Sequence, residues 1–277
     1  MNGLPEIRKS IMPTFELVIH ASRLDAYADC PLQAFAELMR PQLQKLGYQF
    51  NDLPRYITPE VGTAIHSGVA HLHTTGSTDV KSAVNESLNT LERIMEDTPH
   101  MRFTEKMPDL AYIKAHITGF ISAYVDQVLP QRSAQLIEYG MKGELLPNIT
   151  YKTTLDLLTS NAILADLKSG AKITPAYNQL GFYCLLLQRE GYKVNRLVLD
   201  YILPDRSTKV YIHKPIEYDK DACLFIVKQT LTSLIADFEV FCKTGNINHI
   251  RVNPRASTCN KAMCPLYGTS TCHIWRK

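Results

Sequence analysis

The chain lacks any run of eighteen or more apolar residues, which excludes a membrane-spanning helix. It also lacks a signal-peptide core, because Pro5, Glu6, Pro13 and Glu16 interrupt the apolar stretches near its start. A cytoplasmic location with no membrane partner is therefore expected, the host cytoplasm if the protein is viral. Neither sign of charge is in strong excess: 30 Lys and Arg stand against 27 Asp and Glu, a net of +3. So mild a balance permits a polyanionic partner without requiring one, and no basic tail marks where it would lie. No repeated unit is visible. Cysteine is sparse, seven in 277 residues, and in a reducing compartment these read as thiols or metal ligands rather than disulfides.

What is present fits an ordinary globular protein. Hydrophobic residues make up 45% and charged residues 21%, and the length suits one large core or a domain with an appended helical part. The first half has helical period. Ser22 followed by Asp25 predicts a capping box opening a helix that runs to about residue 39. Thr58-Pro59 predicts an N-cap with proline in the first turn, and Ile65, Val69 and Leu72 form the stripe behind it. A third helix carries Val80, Val84, Leu88 and Leu91 and ends near Glu96. A fourth runs from Pro108 to just before Pro130 with Ile113, Ile117, Phe120 and Tyr124 in phase.

From about residue 140 the period becomes extended. "YKTTLDLL" and "AILADLK", separated by Thr159-Ser160-Asn161, predict a hairpin, and a helix over about 175–190 follows. "RLVLDYIL", the turn "PDRS" and "TKVYIH" predict a second hairpin. Asp219 to Lys243 reads as a long amphipathic helix stopped by Gly245. Beyond it the chain has no period, so its order needs another source. The expected class is α/β in a single domain over 1–277: a helical N-terminal part over 20–135, a core over 140–245 and a cysteine-rich tail over 246–277.

The strand "ILADLK" ends on Asp166 and Lys168, two positions apart and so on one face. Asp156 ends an apolar stretch in the strand paired with it. Two carboxylates on paired strands, with a lysine beside them, suit a magnesium or manganese ion and an attacking water. Gln179 and Tyr183 lie one turn apart on the following helix, and His66 lies upstream in "VGTAIH". Taken singly, each has an ordinary reading: a solvated Asp-x-Lys pair, a structural histidine, a surface glutamine, a core tyrosine.

In this order, His66, Asp156, the triplet Asp166-Leu167-Lys168, and Gln179 with Tyr183 resemble the PD-(D/E)XK nuclease superfamily, most closely its RecB-like branch. One departure stands out, since a glycine commonly precedes the first Asp there and "KTTLD" offers Thr153. The resemblance implies a restriction-endonuclease-like core, a mixed central sheet flanked by helices. It implies that His66, Asp156, Asp166 and the Leu167 carbonyl hold Mg2+ or Mn2+. Lys168 would position or deprotonate the water or stabilise the pentacovalent phosphorus, while Gln179 and Tyr183 brace the lysine and contact DNA. The implied activity is a metal-dependent DNA exonuclease, favoured over an endonuclease, acting on single strands or duplex ends. Recombination, phage replication or CRISPR adaptation would be its setting, with a recombination or integration protein as partner. The alternatives are a catalytically silent nucleic-acid-binding subunit and a zinc-stabilised interaction protein.

The cysteines sort into two groups. Cys223 and Cys242 fall on the apolar stripe of the last long helix and Cys184 sits beside Leu180 and Leu187, so these read as core thiols. Cys259, Cys264 and Cys272 lie in the periodless tail as Cys-x4-Cys-x7-Cys, one short of a four-thiolate site. Cys30, followed by Pro31 in "SRLDAYADCP", resembles the first cysteine of RecB-like nucleases of the AddB and CRISPR-associated types. In those, one N-terminal and three C-terminal cysteines hold a [4Fe-4S] cluster. The resemblance implies that Cys30, Cys259, Cys264 and Cys272 hold one here and order the tail. The other reading puts zinc on the three tail thiols with His273 and leaves Cys30 in the core.

Overall fold

A computed structural model describes residues 15–169, 173–205 and 210–275. Pro5, Glu6 and Pro13, the turn residues Arg206 and Ser207, and the first two residues of "TKVYIH" lie outside the described residues. The aliphatic, period-two segments form strands β1 (Leu17–Ile19), β2 (Ala134–Leu146), β3 (Ile149–Thr159), β4 (Ile163–Lys168), β5 (Arg196–Pro204) and β6 (Tyr211–Tyr218). They join in one mixed sheet of order β1-β3-β4-β5-β6, with β2 also paired to β3. β1 runs parallel to β3 and β4 parallel to β5, and the other pairs are antiparallel. A parallel β4–β5 pair needs a crossover, which α7 (Tyr177–Arg189) supplies.

Helices cover both faces. α1 (Ala21–Asp29), α2 (Pro31–Leu38), α3 (Arg40–Lys45), α7, α8 (Lys220–Thr244) and the tail bury one, around Leu24, Phe35, Leu164, Phe182, Leu199 and Phe241. α4 (Ile57–Thr75), α5 (Val80–Asp97) and α6 (Leu110–Gln127) bury the other, around Ile65, Ile117 and Phe120. Leu167 and Ile202 join this second core while Leu164 and Leu199 belong to the first, as the pleat dictates. No helix of the described residues is long and apolar enough to cross a membrane.

Capping separates the correct boundaries from the wrong ones. Asp79, Asp109 and Asp219 cap α5, α6 and α8 with their side chains, and Gly245 ends α8 at φ 64°. Neither predicted N-terminal cap forms. α1 starts after His20 without a side-chain cap, and the helix predicted to reach 39 breaks at Cys30, whose φ of −140° suits a residue preceding proline. α4 starts at Ile57, one residue before Thr58, whose hydroxyl faces that of Thr104. Extended structure also begins at Ala134 rather than near 140, and Leu17–Ile19 adds a strand the sequence reading did not identify.

The tail is a series of turns stitched to the start of the chain. Leu32 N–H donates to the Arg251 carbonyl (3.1 Å), Asn253 Nδ2 to Asp29 O (2.9 Å), and Asn51 to Pro265 O and Tyr267 O (both 2.7 Å).

Candidate active site

β3 and β4 pair only near their turn, at Leu157–Ala165 and Leu158–Leu164. Farther along, the Leu167 N–H donates to Asp156 Oδ2 (2.7 Å), a side chain in place of a ladder partner. β4 stays anchored on its other side, paired with β5 through Lys168–Tyr201. Its last residues are thus held by backbone on one side and free to present side chains on the other.

Asp166, 1% exposed, is the centre of a closed network. Lys168 Nζ lies 2.6 Å from its Oδ2, and Gln179 Nε2 donates to its Oδ1 (2.8 Å) and to Tyr183 Oη (3.1 Å). Lys168 Nζ in turn donates to Gln179 Oε1 (3.1 Å). Lys168 is thus the charged partner of Oδ2, while Gln179 serves Oδ1. Burial first, then repulsion from Asp156, lifts the Asp166 carboxyl to about 7 despite Lys168. Burial opposes the Lys168 ammonium, yet Asp166 and Asp156 outweigh it and raise its pKa. Burial, then the same two carboxylates, raises the Tyr183 phenol.

A second group faces this one. His66 Nδ1, from α4, lies 3.2 Å from Glu138 Oε1 and 3.4 Å from Asp156 Oδ1. One ligand atom from each of the three lies within 4.8 Å of the others. Burial disfavours the imidazolium, but Asp156 and Glu138 overcome that and push the His66 pKa well up; burial opposes the Asp156 carboxylate, and His66 holds its pKa down. An imidazole and hard oxygens fit Mg2+ or Mn2+, and the Asp166 carboxyl lies close enough to Asp156 to feel its charge. A cleft of about 870 Å³, lined by Ser22, His66, Glu138, Lys168 and Ser169 among others, opens onto both groups.

The predicted residues therefore come together in two linked sets, His66 with Asp156, and Asp166 with Lys168, Gln179 and Tyr183. Leu167 joins them through its N–H. Glu138 was not anticipated. Its neighbours Ile137 and Tyr139 pair with Leu157 and Leu155, which puts it opposite Asp156, and its φ of 43° is left-handed, costly for a residue bearing a Cβ. Asp200 was also missed: paired with Leu167 in register, it receives both guanidinium hydrogen bonds of Arg132 (3.0 Å each) and contacts His213 Nε2 (2.7 Å). "RLVLDYIL" carried the same signal as "ILADLK", a carboxylate inside an apolar strand.

All seven cysteines lie among the described residues and none forms a disulfide. Cys184 and Cys223 are buried core thiols pushed up to about 11 and about 12, by burial first, and Cys242 is half-buried on α8. Cys30, Cys264 and Cys272 are buried and Cys259 half-buried. Burial, then the neighbouring Cys259, Cys30 and Cys272, pushes the Cys264 thiol up to about 11, and Cys30 likewise raises Cys259. Cys30, Cys259 and Cys272 thus lie within electrostatic reach of Cys264.

A family model of the PD-(D/E)XK nuclease superfamily matches residues 19–266. Among solved structures, a "Putative exonuclease" from Eubacterium rectale is similar in fold at 14% identity, covering 94% of this chain and 93% of that one with a TM-score of 0.55. The structure of SSO0001 matches at 14% identity over 70% of this chain and 83% of that one, and its TM-score of 0.26 carries no weight. No curated protein matches the sequence.

Proposed function

The chain belongs to the PD-(D/E)XK nuclease superfamily, and from that premise we propose that it is a RecB-like, metal-dependent DNA exonuclease closed by an iron–sulfur clasp. The observation that carries the activity is that Lys168, held by Asp166 and Gln179, lines one cleft together with His66 and Glu138, which adjoin Asp156. His66, Asp156, Asp166 and the Leu167 carbonyl, with Glu138 added, would hold Mg2+ or Mn2+. Such an ion supplies a water of lowered pKa and neutralises phosphate charge.

The chain's own groups do the rest. Two carboxylates keep Lys168 protonated, which favours stabilising charge on the phosphoryl oxygens over abstracting a proton from water. Gln179 fixes that ammonium against Asp166 and is itself held by Tyr183, a phenol kept neutral by burial. The test uses linear DNA labelled at either end, single- and double-stranded, with closed circles alongside, in Mg2+, Mn2+ or chelator. Metal-dependent release from ends is expected. Cleavage of circles would make it an endonuclease, and no cleavage of any substrate would remove the reading.

What supports the clasp is that Cys30, Cys259 and Cys272 all act on the buried Cys264 thiol, and four thiols are a donor set that suits [4Fe-4S]. Around one zinc, thiolates ~2.3 Å from the metal would crowd together. Among the described residues the tight ligand group found is instead His66, Glu138 and Asp156. Zinc with His273 is the second reading, favoured by one observation: His273 Nδ1 is buried without a hydrogen-bond partner. Anaerobically purified protein should be brown, absorbing near ~400 nm. Colourless protein with one zinc per chain would favour the rival.

A further inference from the structure

Asp25 is a charged residue that the site chemistry leaves unused. The sequence places it as the fourth member of a local capping box, yet α1 has no side-chain cap. Its carboxylate turns instead to α7. Oδ1 accepts from Asn178 N (3.0 Å) and Asn178 Nδ2 (3.1 Å), and Oδ2 accepts from Gln179 N (3.1 Å). α7 starts after Ala176, which offers no side-chain cap of its own. The first N–H groups of a helix have no partner within it, and a capping oxygen serves those of the second and third residues. Asn178 and Gln179 are the second and third residues of α7. Asp25 is thus the N-cap of a helix 153 positions away.

The third residue of α7 is also the one whose side chain holds both Lys168 and Asp166. The Gln179 backbone is fixed by Asp25 and its amide fixes the lysine, so the two contacts are in series. α1, which carries Asp25, ends at Cys30 and is therefore seated by the contacts of the tail. We propose that Asp25 is a positioning residue for catalysis, setting Gln179 and through it Lys168, and so tying the seating of α1 to the reactivity of β4. This rests on the nuclease reading.

The test is a double-mutant cycle on linear DNA in saturating Mn2+, with D25A, Q179A, the pair, and D25N. Misplacement by about an ångström should lower kcat of D25A on the order of 10–100-fold, with KM within about twofold. Because the residues act in series, the double variant should be no slower than Q179A, within about twofold. Asparagine offers one acceptor oxygen where the carboxylate's two serve three donors, so the kcat of D25N should fall between those of wild type and D25A. Mn2+ affinity of D25A should stay close to wild type, since Asp25 itself contacts no metal-site residue and Gln179 reaches only Oδ1 of Asp166. Losses that multiply in the double variant, a D25A enzyme at full speed, or a D25A protein that no longer binds Mn2+ would each overturn the proposal. An inactive wild type would instead remove the nuclease reading. The cap would then be judged by hydrogen exchange, where the Gln179 amide should exchange at least about tenfold faster in D25A; an unchanged rate would overturn it.

Discussion

Asp166 is buried and Asp156 half-buried, and their neighbours divide the work between them. Asp166 is answered by Lys168 and Gln179, and Asp156 by His66 and the Leu167 N–H. Asp166→Ala or Lys168→Ala should lower metal-dependent cleavage by about 10²–10³-fold or more, with the circular dichroism spectrum unchanged. Glu138→Gln should weaken Mn2+ binding seen by calorimetry, whereas Lys168→Ala should not. Asp200 gives a pH dependence of stability. Burial alone would lift its carboxyl, but the His213 and Arg132 hydrogen bonds outweigh that and hold its pKa below 3.8. As pH falls the unfolded chain takes up the proton first, so this stabilisation is complete above about 3.8 and drains as pH drops through the folded value. Urea unfolding of Asp200→Asn should therefore show lower stability at pH 7 and a shallower decline below pH 4. Arg132→Ala, leaving the buried carboxylate with His213 as its remaining charged partner, should cost about 3 kcal/mol. The sequence order made His66, Asp156, Asp166, Lys168, Gln179 and Tyr183 legible. Glu138 was not, because a charge in a strand reads as a solvated face until the register puts Asp156 opposite it.

Among the elements, α5, α6 and α8 were readable because period and cap agree within each one. β2 was not, since much of it is exposed and glycines at 140 and 143 blur its alternation. The failed capping box at Ser22 and the failed N-cap at Thr58 have a shared cause. A Ser or Thr near an acid is a local motif, and tertiary partners outbid it, α7 for Asp25 and Thr104 for Thr58. The packing of α7 on α8 gives a prediction of its own. A Cβ at Gly181 would stand 2.4 Å from the Cys223 carbonyl oxygen, backbone that cannot swing aside. Gly181→Ala should lose about 1–3 kcal/mol in thermal unfolding. At Gly140 a Cβ would meet nothing within 4 Å, and Gly140→Ala should change stability by only about 0.5 kcal/mol.

At the scale of the molecule, the sheet separates two cores, and the site forms where helices from both sides reach β4. α4 brings His66 over one face and α7 brings Gln179 over the other. This arrangement was legible only through the family resemblance. Helical period fixes which face a helix buries, but nothing in it says which side of a sheet the helix takes. The tail was legible by what it lacked, since a stretch without apolar period must be ordered by something else. Replacing Cys30 by Ser should bleach the proposed cluster and lower the melting temperature, whereas Cys223→Ser should leave the colour in place. Absorbance and melting curves read both outcomes.

The stitching of residues 29–51 to the tail also bears on the order of events during synthesis. Leu32, Asn51 and Asp29 wait for Arg251, Pro265, Tyr267 and Asn253, partners made about two hundred residues later, 224 for the Asp29–Asn253 contact. Every carboxylate and the lysine of the site emerge well before those partners. The half-made chain carries those side chains without the contacts that seat α1, so α1 is locked down only after residues 251–267 have been added.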